Sequence, residues 1–291
     1  MRILITGADG FIGRHLVEGL EPKNDLFCLC RRTSEFPSTH RSTCIPYDLA
    51  KTIDIDVLPG KIDVVIHLAA VSMHAPETKR ELMFRINTGS TIELLEYASR
   101  AGAKSFVYAS TGGVYGYRSD PIRETCEANP GEFHAATKYA SELMAKQYES
   151  DFDVIILRYF FPYGPHQTDH LIQNLIRKIM QGQAITVYNQ ENPITNPVYI
   201  SDIVEATVRA AMLDRTIVLN IAGKERASIR TIAEILGDFL GRRPSYCHVD
   251  DPRIGNIIGD ISNMESALRF LPQVDLRTGL KRTVDAGWSA K

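Results

Sequence analysis

Seven residues near the start of the chain, Gly7-Ala8-Asp9-Gly10-Phe11-Ile12-Gly13, have the spacing of a phosphate cradle. A short apolar run precedes them and a helical pattern follows, so the loop joins a strand to a helix. Gly7 permits a tight turn, Gly10 lets backbone amides approach an anion, and Gly13 lets the helix pack against the strand. The helix N-terminus adds N–H donors and the positive end of a dipole. Such a loop serves the pyrophosphate of a dinucleotide cofactor. At the end of the second apolar run stand Cys28-Leu29-Cys30-Arg31-Arg32. An NAD-selective site places a carboxylate there for the ribose 2′-hydroxyl, and none is present. Two guanidinium forks, Arg31 and Arg32, suit a 2′-phosphate, so the expected cofactor is NADP, with NAD as the alternative.

These groups need strands that end at one edge of a sheet. Apolar runs at 3–6, 26–30, 64–68, 106–110 and 154–158 alternate with helical spacing at 11–20, 80–100 and 134–150. The alternation predicts an α/β fold, a Rossmann-type doubly wound parallel sheet with crossover helices. After Arg158 the pattern changes at Phe161-Pro162-Tyr163-Gly164-Pro165, a turn-rich break followed by a helix over 171–181 and a polar loop over 188–197. A strand over 217–222 is expected to rejoin the sheet, with helices at 229–240, 262–270 and 276–286 beyond it. The expected domains are a dinucleotide-binding domain, 1–160 rejoined by about 198–222, and a smaller C-terminal substrate-binding lobe, 161–197 and 223–291.

Composition narrows the partners. Among 291 residues, 33 Lys and Arg face 35 Asp and Glu, so no basic surplus points to nucleic acid or an anionic membrane. No apolar run approaches the roughly 20 residues that span a bilayer. The five cysteines are odd in number and include no CxxC pair, which predicts neither a disulfide framework nor a zinc site, and no metal. Met1 leads straight into an apolar run at 3–5 without the basic-then-apolar pattern of a leader. The expected location is the cytoplasm.

Further motifs follow in order: His67-Leu68-Ala69-Ala70, Asn87, Thr111 to Gly116, Lys138, Arg158 to Pro165, Tyr199 to Asp202, and closing segments at 260–262 and 276–288. With the glycine cradle, they make the chain resemble the extended short-chain dehydrogenases/reductases, which include nucleotide-sugar epimerases and dehydratases. The resemblance implies that Phe11 and Ile12 lie over the pyrophosphate, that Asp48 and Leu49 flank the adenine, and that Leu68, Ala69 and Ala70 line the path to the nicotinamide ribose. It places Asn87 beneath that ribose and Phe160 against the nicotinamide. His67, inside a buried strand, reads as a satisfied core histidine rather than a catalyst.

In the resembling family a serine or threonine four residues before the tyrosine of a VYG motif binds the reacting oxygen. Thr111 matches, because Tyr115 follows in Gly113-Val114-Tyr115-Gly116. The family's tyrosine–lysine pair, four apart on a helix, maps onto His134 and Lys138. The lysine matches and the tyrosine does not. Spacing of four keeps both on one helix face. Imidazole can exchange protons near neutrality, although it reaches less far than a phenol. Gly112 and Gly113 stand where dehydratases carry an acid pair, which argues against dehydration. Phe161 replaces a family asparagine and makes the substrate mouth more apolar, while Arg253 matches a diphosphate-binding arginine.

The resemblance therefore implies an NADP-linked enzyme that moves hydride at a secondary alcohol or ketone of a nucleotide sugar, by 4-keto reduction or epimerisation. Two alternatives stay open: a catalytically reduced, NADP-binding regulatory or scaffold protein, and a reductase of a smaller apolar carbonyl compound. A homodimer is expected through the long helices over 80–100 and 134–150.

Overall fold

The computed structural model describes residues 1–31, 41–71, 79–168, 170–189, 191 and 193–287. Arg32 and Trp288 lie outside the described residues. In chain order the first elements are β1 (Arg2–Thr6), α1 (Phe11–Leu20), β2 (Asp25–Cys30), β3 (Ser42–Pro46), β4 (Val64–His67), α2 (Arg80–Phe84), α3 (Ser90–Arg100), β5 (Ser105–Thr111), α4 (Phe133–Ala145) and β6 (Asp153–Tyr159). There follow β7 (Pro162–Tyr163), α5 (Leu171–Met180), β8 (Ile185–Tyr188), β9 (Ile194–Thr195), β10 (Val198–Tyr199), α6 (Ile200–Ala210) and β11 (Ile217–Ile221). The last are β12 (Ala227–Ser228), α7 (Ile229–Leu240), β13 (Tyr246–Val249), α8 (Ser262–Leu268) and α9 (Leu276–Asp285).

Two compact units divide the chain, Met1–Val114 with Pro130–Arg158 and Val204–Leu219, and Tyr115–Asn129 with Tyr159–Ile203 and Asn220–Lys291. Sequence pattern places 115–129 with the dinucleotide-binding domain; the structure groups that segment with the second unit.

A seven-stranded sheet runs in the order β11-β6-β5-β4-β1-β2-β3. The pairs β3–β2, β2–β1, β1–β4 and β4–β5 are all parallel. From β3 to β6 this is the doubly wound order, with its switch point between β1 and β4. Ile3, Leu4 and Ile5 of β1 and Val65 and Ile66 of β4 are fully buried, which is why these central strands read as unbroken apolar runs. On one face Leu4, Val65, Phe106 and Ile156 pack with Leu94 and Leu95 of α3 and Ala145 of α4. Elsewhere in this unit Gly19 of α1 leaves room for Val204 and Val208 of α6.

Three features depart from the sequence pattern. The edge strand β3 and the helix α6 have no counterpart in the expected elements. Periodicity predicts one helix over 80–100, but α2 and α3 are joined by a wide π turn, Arg85–Gly89, which carries Asn87 into the interior.

In the second unit β7 pairs parallel with β10, β8 with β13, and β9 antiparallel with β12. Ser228 caps α7 through the Thr231 N–H, and Gly241, at φ +62°, ends that helix. Several motif residues act here as scaffold. The Tyr115 hydroxyl donates to Asn220 Oδ1 at 2.9 Å, and Asp202 accepts the backbone N–H groups of Gln273 and Val274.

Candidate functional site

The glycine loop leaves the end of β1. Gly7 sits at φ +69°, and a Cβ there would lie 2.9 Å from the backbone of Ala69. A Cβ on Gly13 would strike the Gly7 carbonyl and lie 2.7 Å from Ala8 Cα. Both positions therefore demand glycine, one for its dihedral and for space, the other for close packing of helix against loop. The Gly10 N–H closes the turn on the Gly7 carbonyl at 2.9 Å, and Gly10 itself caps α1 without any side-chain acceptor. The first turn of α1 holds no acidic residue. Its amides and dipole thus suit a pyrophosphate, and the cradle fits the dinucleotide expected from the sequence. Phe11 and Ile12 are half-buried at the helix start.

Next to this loop comes the segment after β4. The Leu68 N–H donates to the Thr6 carbonyl at 3.3 Å and the Ala69 N–H to Thr6 Oγ1 at 3.2 Å, so Leu68, Ala69 and Gly7 are brought together, and Ala70 is exposed. Arg31 is exposed just past β2, beyond the buried Cys28 and Cys30. Asp48 braces a turn after β3, its Oδ1 accepting the Ala50 N–H at 3.0 Å, and Leu49 packs on the main core.

His67 is fully buried, with Nδ1 2.6 Å from Thr6 Oγ1 and Nε2 3.0 Å from Thr91 Oγ1. Burial, and secondarily the nearby Lys138 charge, push its pKa well below the usual histidine range, so it is a neutral core group. Asn87 binds protein rather than facing open space. Its Oδ1 accepts the Val71 N–H at 2.8 Å, while Nδ2 donates to the Val71 carbonyl and to Thr137 Oγ1 at 3.1 Å. It therefore clamps the loop after β4 to α4.

Thr111 ends β5, and its Oγ1 accepts the Gly113 N–H at 3.1 Å, which leaves the hydroxyl proton for another acceptor. Gly113 also abuts Ala135 of α4; a Cβ on it would lie 3.4 Å from Thr111 Oγ1 and 3.6 Å from Ala135 Cβ. His134, half-buried, is in the first turn of α4. Lys138 follows one turn later and is only 3% exposed, with Nζ 4.1 Å from the centre of the Tyr108 ring. Burial lowers its pKa to about 7, against an opposing pull from Glu142.

One buried cluster was not among the residues that motif and spacing single out. Glu142, four residues beyond Lys138, is fully buried; Arg158 of β6 donates to it from Nε at 3.0 Å and from Nη2 at 2.5 Å. The Ser110 hydroxyl also donates to Glu142. The available signal was a carboxylate repeating the His134–Lys138 spacing on a helix face otherwise turned inward.

The second unit carries the remaining expected residues. Phe160 is buried beside the Tyr115 ring, 6.3 Å between centroids, and beside Gly259. Phe161 takes a left-handed backbone conformation, φ +46°, a region that asparagine tolerates and a bulky side chain does not favour. Arg253 is exposed, and its guanidinium is engaged by Asp251, with Nε to Oδ1 at 2.9 Å and Nη2 to Oδ2 at 2.7 Å. That fork holds the Asp251 carboxyl at about 2. Among the described residues no group of His, Cys, Asp and Glu could hold a metal ion, and no helix is long and apolar enough to cross a membrane.

A family model described as the NAD dependent epimerase/dehydratase family matches residues 3–222. A protein named as an uncharacterized UDP-glucose epimerase, YtcB of Bacillus subtilis (strain 168), is 29% identical over 310 aligned positions, covering 98% of this chain and 97% of the relative. The UDP-glucuronate 4-epimerase of Thermodesulfobacterium geofontis (strain OPF15) is 28% identical, covering 98% and 95%. The crystal structure of UDP-glucuronic acid 4-epimerase from Bacillus cereus, in complex with UDP-glucuronic acid and NAD, superposes with a TM-score of 0.87 at 28% identity over 98% of both chains.

Proposed function

The chain belongs to the NAD dependent epimerase/dehydratase family, and from that premise we propose that it moves hydride at a secondary alcohol or ketone of a nucleotide-linked sugar, by 4-epimerisation or 4-keto reduction, with His134 as the acid/base. The observation that carries this reading is the placement of α4, which stations a buried Lys138 one turn from His134. UDP-sugars are the favoured substrate class, because relatives along the whole chain are named for acting on them.

A bound nicotinamide would supply the hydride acceptor and donor for epimerisation, and in its reduced form the hydride donor for 4-keto reduction. The chain's residues do the rest. Thr111 donates a hydrogen bond to the reacting oxygen. His134 takes the hydroxyl proton on oxidation and returns it on reduction, directly or through a water, since imidazole is shorter than the family's phenol. Lys138 holds the nicotinamide ribose hydroxyls and supplies positive charge beside the acid/base. Gly7, Gly10, Phe11, Ile12 and Gly13 hold the pyrophosphate, with Leu68, Ala69 and Ala70 along the cofactor and Asn87 keeping that loop in place. Asp48 and Leu49 border the adenine, and Phe160 the nicotinamide. In the substrate-binding lobe, Arg253 exchanges Asp251 for the sugar diphosphate, and Phe161 makes the mouth less polar.

Cofactor preference is for NADP(H) over NAD(H). The support is Arg31, exposed at the end of β2, and the lack of a carboxylate over Cys28 to Arg31. The Bacillus cereus relative holds NAD, so the preference rests on this chain's own strand end. A homodimer is supported by exposed apolar side chains on the outer helices, Leu82, Phe84, Ile92, Leu143 and Met144. Five free thiols favour a reducing, cytoplasmic setting.

The test is turnover. The protein is incubated with NADP⁺ or NAD⁺ and UDP-hexoses or UDP-hexuronic acids, or with NADPH and 4-keto sugar nucleotides, and products are resolved chromatographically. Formation of a 4-epimer or a 4-hydroxy product supports the reading. Turnover of none of these, with cofactor bound, would remove it.

A further inference from the structure

Lys138 is a buried amine, and a group that favours its charged form is visible one turn along its helix. Glu142 is fully buried and takes both a guanidinium fork from Arg158 and the Ser110 hydroxyl. Those bonds engage both carboxylate oxygens. They also tie α4 to β5 and β6, the two strands beneath it. We propose that Glu142 is a positioning residue for the nicotinamide site: its carboxylate, fixed by Arg158 and Ser110 one helical turn from Lys138 in the same buried layer, favours the charged form of that lysine. The inference rests on the acid/base reading above, because Lys138 matters to chemistry only if that reading holds.

Other groups around Lys138 do not take this role. From β4 comes His67, which is neutral, and from β5 Tyr108, whose phenol is pushed up by burial and is neutral too. From β6 comes Arg158, already committed to Glu142. Across α2 and the π turn, Arg80 lies over the Phe133 ring, and Arg85 pairs with Glu93 at 3.0 Å. Among the described residues the opposite charge acting on Lys138 is Glu142, which raises its pKa against the larger lowering by burial.

A change of Glu142→Gln keeps shape but deletes the charge, leaving Arg158 as an unbalanced neighbour. The Lys138 ammonium should then lose its proton at lower pH. The experiment is a titration of the Lys138 ¹³Cε resonance in the full-length chain, assigned by its disappearance in Lys138→Met. The expected result is a midpoint lowered by about one pH unit or more. In wild type the turnover rate should fall as pH rises through the Lys138 midpoint, and in the variant this falling limb should move to lower pH. A brace that merely held the helix would reduce amplitude without moving the midpoint.

Because removing one member of a buried pair can prevent folding, the double change Glu142→Gln with Arg158→Met is measured in parallel. It removes both charges together and should move the midpoint in the same direction by less. An unchanged midpoint in whichever variant folds overturns the inference. A moved midpoint in a protein that turns over no nucleotide sugar supports it while removing the acid/base reading.

Discussion

Lys138 Nζ stands 4.1 Å from the centre of the Tyr108 ring, an amine against an aromatic face in a buried setting. The ring quadrupole and Glu142 favour the ammonium, while desolvation disfavours it and prevails, bringing the pKa to about 7. A lysine depressed in the folded state makes stability depend on pH in a definite sense. Between about pH 7 and the ordinary lysine pKa of 10.5, the unfolded chain binds the extra proton, so stability rises with pH across that window. The contribution is lost as pH falls toward 7. Urea unfolding of the cofactor-free protein should show a positive slope from this group of up to about 1.4 kcal/mol per pH unit. Lys138→Met should abolish that part of the slope, and identical slopes in the two proteins would contradict the assignment.

Replacing His134 by Ala should lower kcat by roughly 10²–10⁴-fold, the usual loss for a general acid–base group. The dissociation constant for cofactor should stay within about twofold, because the cradle and Lys138 are untouched. Steady-state kinetics and calorimetry on the same preparations check both halves. Unaltered turnover would mean that another group moves the proton.

Arg31→Asp converts the end of β2 to the carboxylate arrangement of NAD-selective sites. NADP(H) affinity should fall by about 1.5–3 kcal/mol, the worth of a charged hydrogen bond, with NAD(H) affinity equal or better. Calorimetric titration of wild type and variant with both cofactors decides the matter. Equal affinities of the wild type for the two would already refute the preference.

Phe161 holds a left-handed backbone, φ +46°, with a side chain unsuited to it. Phe161→Asn and Phe161→Val both remove the ring, so their difference isolates the backbone. The valine variant should be less stable than the asparagine variant by about 1–2 kcal/mol, since a β-branched residue is disfavoured at positive φ and asparagine tolerates it. Denaturant midpoints measure this directly, and equal midpoints would show that the loop relaxes.

Leu143 and Met144 are exposed neighbours on α4. If the outer helices pair two copies, Leu143→Glu with Met144→Glu should convert a dimer to a monomer in analytical ultracentrifugation while leaving the circular dichroism spectrum unchanged. A wild type that sediments as a monomer would end the proposal.

The parts of the molecule that are legible from sequence are those whose cause is local. Gly7 and Gly13 could be assigned in advance because a single dihedral and a single close approach admit no side chain. The runs in β1, β4 and β5 were legible because strands covered on both faces need apolar residues throughout. The edge strand β3 escaped because an edge strand is only partly covered, and Ser42-Thr43-Cys44-Ile45-Pro46 carries no such run. Periodicity puts Asn87 inside one helix over 80–100, but it lies in a π turn between two helices, and the turn that aims it at Val71 and Thr137 has no sequence signature.

By itself, then, the sequence determined the α/β architecture, the tight glycine loop between β1 and α1 and the placing of His134 and Lys138 one turn apart on α4, because periodicity and glycine sterics act within a few residues along the chain. Tertiary structure alone decided that Glu142 pairs with Arg158, that His67 is held between Thr6 and Thr91, and that Arg253 grips Asp251. Each of these polar groups had several candidate partners of suitable chemistry. Which one it meets depends on which strand and helix faces come within about 3 Å of each other, and that is settled by the packing of the whole sheet rather than by any segment of it.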